Sequence, residues 1–98
     1  MKYELKQNGS ELTVAVEGRL DTTSAPELEE ALKPYLKDTD HLIYDFTGLQ
    51  YISSAGLRVL VSAHKNMRMG GTSRVINSNP VVKEVFEITG LDSYLTIE

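Results

Sequence analysis

The sequence contains no cysteine and no tryptophan. Without cysteine there is no disulfide framework, no thiolate nucleophile and no zinc site built on sulfur ligands. Basic residues are in deficit. Ten Lys plus Arg stand against fourteen Asp plus Glu, giving a formal net charge of -4 and a pI near 5.1. That balance argues against a nucleic-acid binder, which needs a basic face to neutralise phosphates. The two histidines, His41 and His64, are far apart and neither lies in an HxxxH or HxxE arrangement, so no metal centre is expected. No apolar run approaches the ~18 residues of a membrane span. The polar, alternating start Met1-Lys2-Tyr3-Glu4-Leu5-Lys6 is unlike a secretory signal. A chain of 98 residues holds one domain and one core. The expectation is a cytoplasmic protein, consistent with a monomer, that binds or switches rather than catalyses.

What is present is ordinary globular material, 41% hydrophobic and 24% charged. Tyr3–Gln7 and Leu12–Glu17 alternate apolar with polar, and Asn8-Gly9 between them tolerates positive φ, which predicts an opening hairpin. Ser24 and Glu27 have capping-box spacing, with Pro26 in the first turn. Leu28, Ala31, Leu32, Tyr35 and Leu36 then repeat at helical spacing. Pro34 predicts a kink or an early end. Leu42–Phe46 reads as a buried parallel strand, and Thr47–Ile52 as a loop.

A second helix is predicted from Ser53-Ser54 to about Met69, with Leu57, Leu60, Val61, His64 and Met67 inward and Gly70-Gly71 as its stop. Arg58, Val59 and Met69 fall off that stripe, which makes Val59 and Met69 a candidate exposed apolar patch. Arg74–Ile76 is a strand. Asn79-Pro80 is the cap and first position of a third helix, with Val82, Val85, Phe86 and Thr89 inward and Gly90 ending it. Tyr94–Ile97 is a last strand. The order β-β-α-β-α-β-α-β implies a single α/β domain with a mixed, mostly parallel sheet and an N-terminal hairpin.

The candidate site is where the Leu42–Phe46 strand passes into the second helix, because ligand and reaction sites of open α/β sheets gather at the carboxyl ends of strands. Serine there is a preferred N-cap. A phosphate on a serine at a helix N-terminus is also tolerated locally and adds about 1.5 to 2 negative charges. Both readings stand for Ser53 and Ser54. Gly56, in the first turn, costs helix stability and implies a close approach by a packed element or a partner. His64 reads as a packed histidine and His41 as a surface one. Asp45 ends a strand as a receiver phosphoacceptor does, but Gln7-Asn8-Gly9 supplies no acidic pair and the last strand supplies no lysine. Paired catalytic acids and a phosphate-cradling glycine loop are absent, which argues against an enzyme.

Four stretches then fall in order. Gly18-Arg19-Leu20-Asp21-Thr22 follows the second strand. Asp45-Phe46-Thr47-Gly48-Leu49 is followed by Ser53-Ser54-Ala55-Gly56-Leu57. From Gly70 to Leu91 run Gly-Gly, a strand and Asn-Pro-x-Val-x-x-x-Phe-x-x-x-Gly-Leu. The whole chain, 1–98, resembles the STAS domain of bacterial anti-sigma factor antagonists. The resemblance implies a STAS-like fold, no cofactor, and a partner switch in transcription regulation. The unphosphorylated domain would bind an ATP-using serine-kinase anti-sigma factor and release the sigma factor. Phosphorylation would end binding, and a phosphatase would reverse it. By position the acceptor is Ser54. Asp21, Thr22, Ser53, Gly56, Leu57 and Arg58 would form the partner-binding surface. Ser53 replaces the family's aspartate before the acceptor, which removes a negative charge beside Ser54 and makes Ser53 a competing acceptor. The alternative implied by the same resemblance is a constitutive interaction or ligand-binding module, such as a transport-system subunit, without phosphoswitching.

Overall fold

The hairpin forms where the alternation places it. In the computed structural model, which describes residues 1–98, strand β1 (Lys2–Asn8) pairs antiparallel with β2 (Glu11–Leu20), and Asn8 lies opposite Glu11. The connecting residues are therefore Gly9 and Ser10, one position beyond the predicted Asn8-Gly9. Gly9 takes φ +62°. Glycine at the first central position suits a tight hairpin whose twist matches its strands.

The remaining strands, β3 (His41–Asp45), β4 (Leu49–Ile52), β5 (Thr72–Ile76) and β6 (Thr96–Ile97), join in parallel. They give a six-stranded mixed sheet of order β1-β2-β3-β5-β6, with β4 paired to β2. Helices α1 (Ala25–Leu36), α2 (Ser54–Asn66) and α3 (Pro80–Thr89) complete a single α/β domain. One face of the sheet is covered. Leu12, Val14 and Val16 on β2, Leu42 and Tyr44 on β3 and Val75 on β5 are buried in one cluster with Leu28 and Leu32 of α1, Leu57 and Leu60 of α2 and Phe86 of α3. Thr13, Ala15, Ile43 and Arg74, on the opposite face, remain half-buried. The β3 strand is thus covered on one side only, not buried on both.

Several expectations are corrected. Residues 47–52 are not all loop, because Leu49–Ile52 is a strand. Strand β2 is ten residues long and spends only Glu11–Ala15 on β3. Its far end, Gly18–Leu20, pairs with β4 across a register shift at Gly18 and Arg19. Gly18 has φ +90° there, a backbone that glycine adopts without strain.

Helix α2 ends at Asn66 rather than near Met69. Met67 turns extended and buries its side chain, while Met69 is fully exposed. Gly70-Gly71 therefore belong to the turn before β5. Val59 is 4% exposed and lies with Leu32 and Leu36 of α1, so the Val59–Met69 surface patch does not exist. Helix α2 faces the sheet and α1 at once, so its buried stripe is wider than a single-contact helix would carry. The capping box at Ser24 does not form either. The Ser24 hydroxyl donates to Arg19 O at 2.8 Å, and Asp21 Oδ1 accepts the backbone N–H groups of Thr23 and Ser24 instead.

Other details follow the pattern. Helix α1 ends two residues after Pro34. The side chain of Asn79 accepts from Val82 N at 2.8 Å, and Gly90 closes α3 at φ +77°. Val82 and Phe86 are buried and Val85 is half-buried, but Thr89 is exposed rather than inward, with its hydroxyl donating to Val85 O at 2.8 Å. A 3-10 turn, Leu91–Ser93, shortens the last strand to two residues. His64 is half-buried, with Nδ1 2.7 Å from Ser73 Oγ, and His41 is exposed.

The Tyr44 hydroxyl is buried without a hydrogen-bond partner, and desolvation pushes its pKa far up. An unpaired buried hydroxyl costs about 1 to 3 kcal/mol. Tyr44→Phe keeps the ring contact with Phe46, whose centroid lies 5.7 Å away. It should leave the melting temperature unchanged or raise it in a thermal denaturation scan.

Candidate functional site

The carboxyl ends of β2 and β4 meet where α2 begins. Leu20 lies opposite Ile52 in the β2–β4 pairing, and Ser53 N donates to Leu20 O at 2.9 Å. The next residues on each strand, Asp21-Thr22 and Ser53-Ser54, therefore emerge at one end of the sheet. This is the position at which open α/β sheets present their sites.

The two serines have different employment. Ser53 is the N-cap of α2 (φ -97°, ψ 176°), half-buried, and its Oγ accepts from Gly56 N at 3.4 Å. Ser54 is the first helical residue and is exposed, and its hydroxyl makes no hydrogen bond within the chain. Aspartate is as good an N-cap as serine. At the position where the resemblance implies an aspartate, Ser53 therefore supplies the cap without the charge. Ser53→Ala should cost about 0.5 to 1 kcal/mol, seen as a lower melting temperature, and Ser53→Asp should restore it.

Gly56 is where the close approach occurs. A Cβ added there would lie 2.8 Å from Ile52 Cγ1, 2.9 Å from Leu20 Cγ and 2.9 Å from Leu20 O. The neighbour is a packed element of the same chain. Gly56 and Leu57 are both buried, so of the residues expected to form a partner-binding surface these two lie beneath the surface rather than on it. Thr22, Ser54 and Arg58 are exposed, and Asp21 and Ser53 are half-buried.

Asp21 has a structural task at this end. The Ser24 backbone N–H, the Ser24 hydroxyl and the Thr23 N–H hold its carboxyl below the usual carboxylate range. Arg19 sits 3.7 Å from Asp21 Oδ2, with its guanidinium 4.3 Å from the centroid of the Tyr51 ring. Asp45, in the stretch that precedes the site, accepts from the Thr47 hydroxyl at 2.6 Å, from Thr47 N at 3.1 Å and from Asn77 Nδ2 at 3.3 Å. Those donors, the Thr47 hydroxyl first, lower its pKa. They also hold the turn that separates β3 from β4.

Ser54 opens onto a groove of about 660 Å³ that runs along α2. Arg58, Val61 and Lys65 continue from Ser54 along one side of the helix, Glu29 of α1 stands on one wall, and Thr89 and Leu91 stand on the other. Sequence reasoning missed Arg19, Tyr51, Glu29 and Lys65. For Lys65 a signal existed, since positions 54, 58, 61 and 65 follow i, i+4, i+7, i+11 spacing. For Glu29 and Tyr51 only the tertiary arrangement brings them to this surface.

A family model described as the STAS domain matches residues 2–98. The chain belongs to the STAS domain family. The anti-sigma-B factor antagonist of Bacillus subtilis (strain 168) is 32% identical over 98 residues, spanning 99% of this chain and 90% of that protein. The solved anti-sigma factor antagonist from Mycobacterium paratuberculosis superposes with a TM-score of 0.87 at 23% identity, over 98% of this chain and 83% of that one. The Bacillus cell fate determinant SpoIIAA in its phosphorylated form has a TM-score of 0.78 at 16% identity, over 99% of this chain and 91% of that one. The STAS fold read from the sequence is thus the fold of the chain. The curated relatives of this STAS domain from Bacillus subtilis and Listeria monocytogenes are both anti-sigma-B factor antagonists. No helix in this STAS domain is long and apolar enough to cross a membrane.

Proposed function

We propose that this STAS domain is an anti-sigma factor antagonist whose docking is switched by phosphorylation of Ser54. The kinase partner would be an ATP-using serine-kinase anti-sigma factor. Unmodified, the surface formed by Asp21, Thr22, Ser53 and Arg58, with Leu57 and Gly56 beneath it, docks on that kinase and frees the sigma factor. The kinase transfers the γ-phosphoryl group of ATP to the Ser54 oxygen, with loss of the hydroxyl proton and release of ADP. The resulting near-dianion is costly to desolvate in an interface and repels acidic neighbours, so the complex parts. A phosphatase removes the phosphate by hydrolysis and restores docking.

The observation that carries this reading is the division of labour between the serines. Ser53 is committed to the cap, and Ser54 is free and exposed at the carboxyl ends of the strands. The anti-sigma-B factor antagonist relative and the phosphorylated SpoIIAA structure support it. One observation favours the second reading, a STAS module that binds constitutively. Ser53 takes the place of the aspartate in the family motif, so the acceptor lacks its acidic neighbour.

Incubation with the partner kinase and ATP, followed by mapping of the phosphate by mass spectrometry, tests the assignment. One phosphate on Ser54 is expected, and none in the Ser54→Ala protein. Equal modification of Ser54→Ala would overturn the site and point to Ser53. No modification at all would favour the constitutive module.

A further inference from the structure

We propose that Arg58 is the built-in counter-charge for a phosphate on Ser54, clamping it over the upper end of the α2 groove. The inference rests on the Ser54 reading and names the residue that would receive the new charge.

The chain has four arginines. Arg19 is paired with Asp21 at 3.7 Å. Arg68 reaches Asp38 at 3.8 Å and Asp40 at 3.5 Å, and Arg74 is paired with Glu98. Arg58 alone holds no carboxylate, although it is exposed on a net acidic protein. It lies four residues after Ser54 on the same helix, and both line the same groove. Helical residues at i and i+4 are surface neighbours, about 5 to 6 Å apart at Cβ. Side chains on a helix lean toward its N-terminus, which brings an arginine at i+4 back over the turn that carries Ser54. A guanidinium also presents two parallel N–H groups that match phosphate oxygens.

The other charged groups of the groove do not compete. Lys65 is seven residues beyond Arg58, about 10 Å further along the axis. Glu29, on the α1 wall, makes no ion pair with Arg58 and would repel a phosphate, which favours placement on the Arg58 side. The wall from α3 and the following turn offers Thr89 and Leu91, which carry no charge. Phosphorylation would then do two things at once. It would add negative charge at the mouth of the groove, and it would occupy the cation that the unmodified surface offers to an acidic group of the partner.

The test needs no kinase. Phosphoserine is installed at position 54 of the full chain during translation, and the second ionisation of the phosphate is followed by phosphorus NMR. In the wild-type background that ionisation should fall below its ordinary value near 6, and Arg58→Gln should raise it by about one unit. Arg58→Lys should keep most of the lowering. In about 1 M salt the difference between wild type and Arg58→Gln should shrink, because an exposed pair is screened. Glutamine is a good helix former, so the exposed α2 position should stay folded. An ionisation unchanged by Arg58→Gln would overturn the proposal and leave the helix terminus as the only source of stabilisation. Because the phosphate is installed directly, that failure is distinct from a kinase failing to modify Ser54.

Discussion

Gly56→Ala should lower the melting temperature by about 8 to 16 °C, the largest stability loss among single-methyl additions to the site. The new methyl would overlap Leu20 O, Leu20 Cγ and Ile52 Cγ1, all at 2.9 Å or less. Two of these are side-chain atoms in the core, and the third is a backbone oxygen already accepting from Ser53 N. Relief requires α2 to move away from β2 and β4. Overpacking of that kind costs about 1 to 3 kcal/mol, and a domain of this size loses about 4 to 8 °C per kcal/mol. Alanine returns part of the cost through its higher helix propensity, so the net loss should be about 2 kcal/mol. Gly56→Val, with two further methyls, should be worse. A melting temperature within about 2 °C of wild type for Gly56→Ala would show that the start of α2 is not pinned against Leu20.

Ser54→Asp should weaken binding to the partner kinase by about 10- to 100-fold, while Ser54→Ala should bind as wild type. Removing the hydroxyl costs the fold nothing visible, since it makes no hydrogen bond within the chain. Adding a carboxylate would place a charge in the proposed interface, which would have to desolvate it. An uncompensated charge there costs several kcal/mol, and each 1.4 kcal/mol is tenfold in affinity. Aspartate carries less charge than phosphate, so its effect is the lower bound of the switch. Equal affinities for Ser54→Asp and Ser54→Ala, measured by titration calorimetry, would remove charge as the switching mechanism.

Local chemistry made parts of this structure legible in the sequence. Asn79-Pro80 and Gly90 bound α3 because a capping side chain, a fixed φ and a left-handed stop act within a few residues of themselves. The alternation in Leu12–Glu17 shows a strand because one face of β2 meets the core, whereas of Tyr3–Gln7 only Leu5 packs against it. The features that escaped are tertiary. Strand β4 is too short to show alternation, and it exists because the far end of β2 needs a partner. Val59 lies off the sheet-facing stripe of α2 but under α1, a contact no single-helix pattern reveals. Ser24 has capping-box spacing, yet its hydroxyl is claimed by Arg19 O and its N–H by Asp21.

The site divides in the same way. Ser53, Ser54 and Gly56 stand out as a helix start, and Asp21-Thr22 is placed beside them by a matched stretch. That Leu20 O joins the two, and that Gly56 serves this junction, comes from the β2–β4 pairing alone. The net charge of -4 is also unevenly used, because Arg58 and Lys65 leave the Ser54 groove less acidic than the whole. One phosphate would change the total to about -6, concentrated at that groove.

The most direct measurement is the affinity of the chain for the proposed serine-kinase anti-sigma factor partner before phosphorylation, after phosphorylation of Ser54, and after phosphatase treatment. The account predicts tight binding, a loss of about 100-fold or more, and full recovery. Equal affinity in all three states would contradict it.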